Sequence, residues 1–197
     1  MAVNSQSVVI IGGGFSGAML AARLAEVGVA STLIDRSGRF GRGVAYSTTF
    51  DGHLLNVRAN RMSAVEGRPD DFVDWLAVHG PDRADPDGFA PRRLYGAYLE
   101  DRLARVDADH PGRITRIAGE AAAIEEAGVR LADGRIIAGT KVVLATGNPA
   151  PSTASRLSGG RIISDPWLPG ALDRIGETDD VLILGTGLTM EIGRAHV

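Results

Sequence analysis

The 197-residue chain contains no cysteine. That absence excludes disulfides, thiolate metal sites and a CxxC redox pair, so any redox chemistry must be carried by a bound cofactor. Lysine is almost missing too: Lys141 is the single one, and the other cations are arginines spread along the chain. With a formal net charge of −3, there is no clustered basic footprint of the kind a nucleic-acid partner leaves. Long apolar runs are also lacking. None approaches the ~20 residues needed to cross a bilayer, and no basic segment with a cleavage site precedes the first apolar run. A cytoplasmic protein with neither membrane nor nucleic acid as partner is expected, and its oligomeric state is not legible. Metal and nucleophile signatures are missing as well. His53, His79 and His110 lie far apart, without ligand spacing. Asp85-Pro86-Asp87-Gly88 lacks the remaining ligands of a calcium loop. Ser16 lacks the second glycine of a nucleophile elbow, since Ala18 stands there. No catalytic acid or base stands out, so catalytic residues remain unassigned.

What is present begins at residues 7–11, a short β-branched run ending in glycines that reads as a buried parallel strand. Residues 15–27 are rich in Ala, Leu and Met and predict a helix, with Gly28 placed as its C-terminal glycine. Residues 31–34 form a second apolar run closed by Asp35. Strand, helix and strand in about 30 residues make a β-α-β unit. Further on, Pro69, Asp70 and Asp71 mark a helix start, with Phe72, Trp75, Leu76 and His79 on one face. A second helix is expected over 92–106. Residues 113–140 alternate weakly, with Asp133-Gly134 as a hairpin dipeptide, and predict a small β-meander. Buried strands are expected at 141–145 and 181–184, with a Pro/Ser/Gly-rich linker between them. The fold class is therefore α/β: a Rossmann-like domain with a parallel sheet over 1–150, containing a helical insertion (45–110) and the meander. A linker (151–178) and the start of a second Rossmann unit (179–190) follow.

The loop Gly12-Gly13-Gly14-Phe15-Ser16-Gly17 is a GxGxxG that follows a strand, opens a helix and has an acid at the end of the next strand. Gly12 permits the tight turn, Gly14 lets a pyrophosphate approach the backbone, and Gly17 lets helix and strand pack closely. The helix start at Phe15 and Ser16 offers free N–H groups to phosphates. Asp35 can accept hydrogen bonds from ribose hydroxyls and would repel a 2′-phosphate. Arg36 and Arg42, in the basic stretch that follows, complete the candidate set at this site. Gly185-Thr186-Gly187 ends the later apolar run in the same way, although Met190 replaces the third glycine. Two strand-to-GxG turns point to two nucleotide sites.

These residues, with Gly41-Arg42-Gly43-Val44-Ala45-Tyr46, Leu54-Leu55-Asn56-Val57, Pro91-Arg92-Arg93 and Val143-Leu144-Ala145-Thr146-Gly147, give the chain a resemblance to known proteins. It resembles the bacterial FAD/NAD(P)-binding proteins of the two-dinucleotide-binding flavoprotein superfamily, related to flavin-dependent and N-hydroxylating monooxygenases. The resemblance spans residues 7–190. It implies FAD at the first site, with Thr146 and Gly147 as a second FAD fingerprint, and NADPH or NADH at the second. Asp35 departs from the more usual Glu at the ribose position and is one methylene shorter.

The resemblance stops after Met190. Back-translation of residues 191–197 can give a common sequencing-library adapter, so a non-native tail is expected there. The expectation is an FAD-dependent oxidoreductase that uses NAD(P)H, with a monooxygenase as its narrower form. The chain given would be its N-terminal fragment and inactive alone. Two alternatives stay open: an NAD-dependent dehydrogenase using only the first site, and a non-catalytic nucleotide-binding or redox-sensing module. The substrate is not readable.

Overall fold

The structure is a computed structural model that describes residues 7–148, 162–166, 168 and 170–183. The chain divides into two compact units, one formed by residues 1–43 with 95–147, the other by 44–94 with 148–197.

The first unit is built on a four-stranded parallel sheet. Strand β1 (Ser7–Ile11) leads into helix α1 (Phe15–Glu26) and strand β2 (Ala30–Asp35). The other two strands are β3 (Ile114–Ala118) and β7 (Lys141–Leu144), and the order across the sheet is β3-β2-β1-β7. Between them in sequence, β4 (Ala121–Glu125), β5 (Gly128–Leu131) and β6 (Ile136–Ile137) form a separate antiparallel sheet. Side chains alternate across a strand, and this alternation sorts β1 into two cores. Val8 and Ile10 pack with Ala18, Ala21, Ala22 and Ala25 of α1 and with Leu103 and Val106 of helix α3 (Arg92–Asp109). Val9, on the opposite face, packs with Ile34 and with Val129 and Leu131 of the antiparallel sheet. The parallel sheet is thus covered on both faces, as such sheets require. The run of small alanines on α1 allows that helix to lie close to β1 and β2.

The β-α-β unit forms as read from the sequence, and α1 ends at Gly28, which adopts a positive φ of 78°. Gly134, also at positive φ, turns the β5–β6 hairpin. Three expectations need correction. Residues 113–140 are not all meander: Ile114–Ala118 pairs in parallel with β2, from Ser31–Ile114 to Asp35–Ala118. The reason is topological, since a strand that follows a helix returns to the sheet parallel to its predecessor. The insertion does not extend to residue 110, because residues from Tyr95 on belong to the first unit, where Leu103 and Val106 fill the core under α1. Val181, Leu182 and Ile183 carry no strand. They find no ladder partner among the described residues, and Leu182 is 84% exposed.

The second unit holds helix α2 (Asp71–His79), which buries Phe72, Trp75 and Leu76. His79, expected on the same face as Trp75, is exposed and stacks on Trp75 with ring centroids 4.2 Å apart. Its Nδ1 donates to the Trp75 carbonyl at 2.9 Å. The Asp85–Gly88 turn closes on itself through Asp85, and Asp87 pairs with Arg58 at 3.1 Å. Residues 162–183, where described, contain a single short 3-10 turn, Leu172–Arg174. Gly185, Thr186, Gly187 and the tail 191–197 lie outside the described residues. Among those described, no helix is long and apolar enough to cross a membrane.

Candidate functional site

The chain runs from β1 outward to β2 and β3, then returns to the other side of β1 as β7. In open parallel sheets, the crevice beyond the carboxyl ends of the strands, where the strand order reverses, is where ligands bind. Here that point lies between β1 and β7. The two loops that leave it are Gly12–Gly14 and Ala145–Gly147, so Thr146 and Gly147 stand beside the glycine turn despite a separation of more than 130 residues. The contact between the loops is tight. Ala145 N donates to the Ile11 carbonyl at 2.8 Å, and Gly12 N donates to the Ile34 carbonyl at the same distance. Gly12 has a φ of 110°, and a Cβ there would run into the Ala145 carbonyl. Thr146 and Gly147 are exposed at the rim.

Helix α1 begins directly behind the turn. Its ladder starts with Ala18 N donating to the Gly14 carbonyl at 2.9 Å. The amides of Ser16 and Gly17 precede that ladder, as the first amides of any helix do, and no acidic side chain occupies the first turn. Gly17 is buried, and a Cβ on it would overlap the Gly12 carbonyl oxygen. The helix can therefore start this close to the turn only with glycine at that position. Phe15, at 38% exposure, flanks the helix start, its ring centroid 6.3 Å from that of Tyr95. A positive helix end, open amides and a turn lacking side chains fit a pyrophosphate. No metal-ligating group of side chains occurs among the described residues.

Other candidates have partners the sequence does not reveal. The Asp35 carboxylate accepts from Gly13 N at 2.7 Å through Oδ2. Through Oδ1 it accepts from Ser37 N at 2.8 Å and from Ser37 Oγ at 2.5 Å. Arg42, placed in the sequence reading at the nucleotide, makes a two-pronged pair with Glu100 of α3: Nε to Oε1 at 2.7 Å and Nη2 to Oε2 at 2.8 Å. Gly41 N donates to the Gly13 carbonyl at 2.8 Å. A Cβ on Gly14 would meet Gly43 Cα at 3.2 Å. The space left by the missing side chain of Gly14 therefore receives the 41–43 loop, which becomes a wall of the site. Arg36 is exposed and has no side-chain partner among the described residues. Sequence reasoning missed Ser37, Glu100 and Gly13. Ser37 had a signal, being a serine two residues past a strand-ending aspartate. Glu100 had none, because its partner is 58 positions away.

In the second unit, Tyr46 and Arg92 influence one another. Burial pushes the Tyr46 phenol above its ordinary value, against the pull of the Arg92 guanidinium. Burial likewise lowers Arg92, which donates through Nε to the Leu54 carbonyl at 2.9 Å. Arg93 grips Asp51 with two nitrogens, Nη2 at 3.1 Å from Oδ2. That grip holds the Asp51 carboxyl below the usual carboxylate range.

A model of the FAD-NAD(P)-binding family matches residues 9–149. Among solved structures, the chain is similar to cyclohexanone monooxygenase in an open form, at 20% identity over 72% of this chain and 27% of that one, with a TM-score of 0.52. It is similar to an oxidized steroid monooxygenase bound to NADP, at 20% identity over 78% of this chain and 30% of that one, with a TM-score of 0.51. A mutant cyclohexanone monooxygenase from Rhodococcus sp. Phi1, bound to NADP+, matches at 20% identity over 72% of this chain and 26% of that one, with a TM-score of 0.51. At such identities the likeness is one of fold, and the chain spans less than a third of the length of each.

Proposed function

The chain belongs to the FAD-NAD(P)-binding family, and from that premise we propose that its first β-α-β unit holds the ADP half of FAD within an NAD(P)H-dependent flavin oxidoreductase. The observation that carries this reading is the meeting of the Gly12–Gly14 turn with Ala145–Gly147 at the switch point of the sheet. A nucleotide site needs only the first loop. The second loop beside it supports a ligand that continues past the pyrophosphate, as FAD does. Gly12, Gly14 and the amides at Ser16 and Gly17 hold the pyrophosphate, with Phe15 flanking them, Asp35 holds the adenosine ribose, and Thr146 and Gly147 border the flavin-ward part. Arg42 acts by holding the 41–43 wall through Glu100, and Arg36 lies at the outer rim beside Asp35.

FAD, when bound, supplies acceptance of hydride from a reduced nicotinamide and onward transfer to an acceptor or to oxygen. The protein's part is to bind and orient it. A monooxygenase outcome is the narrower form of the proposal, and NADPH or NADH is the reductant, held by the region containing Gly185, Thr186 and Gly187. Turnover then belongs to a polypeptide that carries both nucleotide portions, in the cytoplasm, and the first portion alone binds without turning over. The test is anaerobic mixing of the FAD-loaded protein, carrying both portions, with NADPH and with NADH. Loss of the flavin absorbance with one or both is expected. A flavin that stays oxidised with both would overturn the oxidoreductase reading. Binding of NADH in the absence of any flavin affinity would favour a dehydrogenase using the first site only.

A further inference from the structure

The Asp35 carboxylate is more fully occupied than a ribose-binding acid is expected to be. A carboxylate offers about four lone-pair positions. Among the described residues three are taken, by Gly13 N on Oδ2 and by Ser37 N and Ser37 Oγ on Oδ1. The Ser37 hydroxyl is itself held in place, because its oxygen accepts from Arg39 N at 3.2 Å while its proton goes to Asp35. Oδ1 is therefore saturated, and among the described residues Oδ2 retains one free position.

We propose that the first nucleotide site reads the adenosine ribose through one hydrogen bond to Asp35 Oδ2, and that Ser37 is the residue that sets this single-hydroxyl selectivity. The inference rests on the reading that this site holds the ADP half of FAD. A carboxylate free of Ser37 could accept from both ribose hydroxyls at once. With Ser37 in place, the second hydroxyl faces a filled oxygen and contributes nothing to recognition. Ser37 is a positioning residue in this account. It is exposed, so removing its hydroxyl leaves the fold intact while freeing a lone pair on Oδ1.

The test is titration calorimetry of the chain with ADP, 2′-deoxyADP and 3′-deoxyADP. For the native sequence, one of the two deoxy analogues is expected to bind about tenfold more weakly than ADP, the loss of one charge-assisted hydrogen bond, and the other to stay within about twofold. In Ser37→Ala, both analogues should bind about tenfold more weakly than ADP, and ADP itself should bind more tightly than to the native chain. A purely structural role for Ser37 would move all three ligands together. Equal weakening of both analogues with the native chain, or a one-sided pattern that persists in Ser37→Ala, overturns the inference and leaves the FAD reading standing. Failure of the native chain to bind ADP overturns the FAD reading, and this inference with it.

Discussion

Gly17 sits against the carbonyl of Gly12 so closely that a methyl group there cannot be accommodated without moving backbone. Moving α1 away from β1 would open the alanine-lined packing of Ala18, Ala21 and Ala22 on Val8 and Ile10. Gly17→Ala is therefore expected to destabilise the chain by about 1–3 kcal/mol, the cost of overpacking, and to weaken ADP binding in the same variant. Gly28→Ala is the control. A Cβ at Gly28 meets nothing within 4 Å, so only the positive φ opposes it, at about 1–2 kcal/mol, and ADP affinity should be unchanged. Urea unfolding and calorimetry on both variants separate the two effects. At this scale the sequence was informative where one residue type answers one steric demand, as at Gly12, Gly17 and Gly28. It was silent where a side chain's partner is remote. Nothing near Arg42 announces Glu100, and an arginine beside a glycine turn reads as a phosphate ligand until its fork is seen to be filled.

Periodicity defined the elements of the β-α-β unit because each buries a distinct face: three residues of β1 are wholly enclosed, and α1 presents a continuous small-residue stripe. It failed for β3, whose burial is confined largely to Ile114. With Thr115, Arg116 and Ala118 all solvent-facing, that strand resembles a meander strand in sequence. Only its parallel pairing with β2 reveals its place. Local charge pairs act at the same scale. Asp51 and Arg93 tie the 51–54 turn to the first residues of α3. Since Arg93 lowers the Asp51 carboxyl, the pair stabilises the fold above the unfolded value of about 3.9, and that contribution is lost as pH falls through the lower folded value. Both partners are about half exposed, so screening limits the effect to about 0.5 kcal/mol. Asp51→Asn should thus be slightly less stable than the native chain at pH 6, with the gap closing below pH ~3.9. Chemical denaturation at stepped pH would show it, and a gap that widens toward acid would contradict the pairing.

At the scale of the whole molecule, residues 1–150 read in sequence as one nucleotide domain with a helical insertion over 45–110, ahead of a linker and the start of a second Rossmann unit, whereas the two compact units part at Gly43 and Tyr95. The boundary was illegible because α3 is a continuous helix of 18 residues whose first residues belong to one unit and the rest to the other. The site escapes this difficulty, since the strand ends, both loops and α1 all belong to the first unit. The central claim is that this unit grips FAD by its ADP half, and fluorescence titration of FAD with the chain, followed by competition, tests it directly. The account predicts one FAD bound per chain, displaced by ADP and not by FMN, which lacks the ADP half. Displacement by FMN with indifference to ADP, or no binding of FAD, would contradict it.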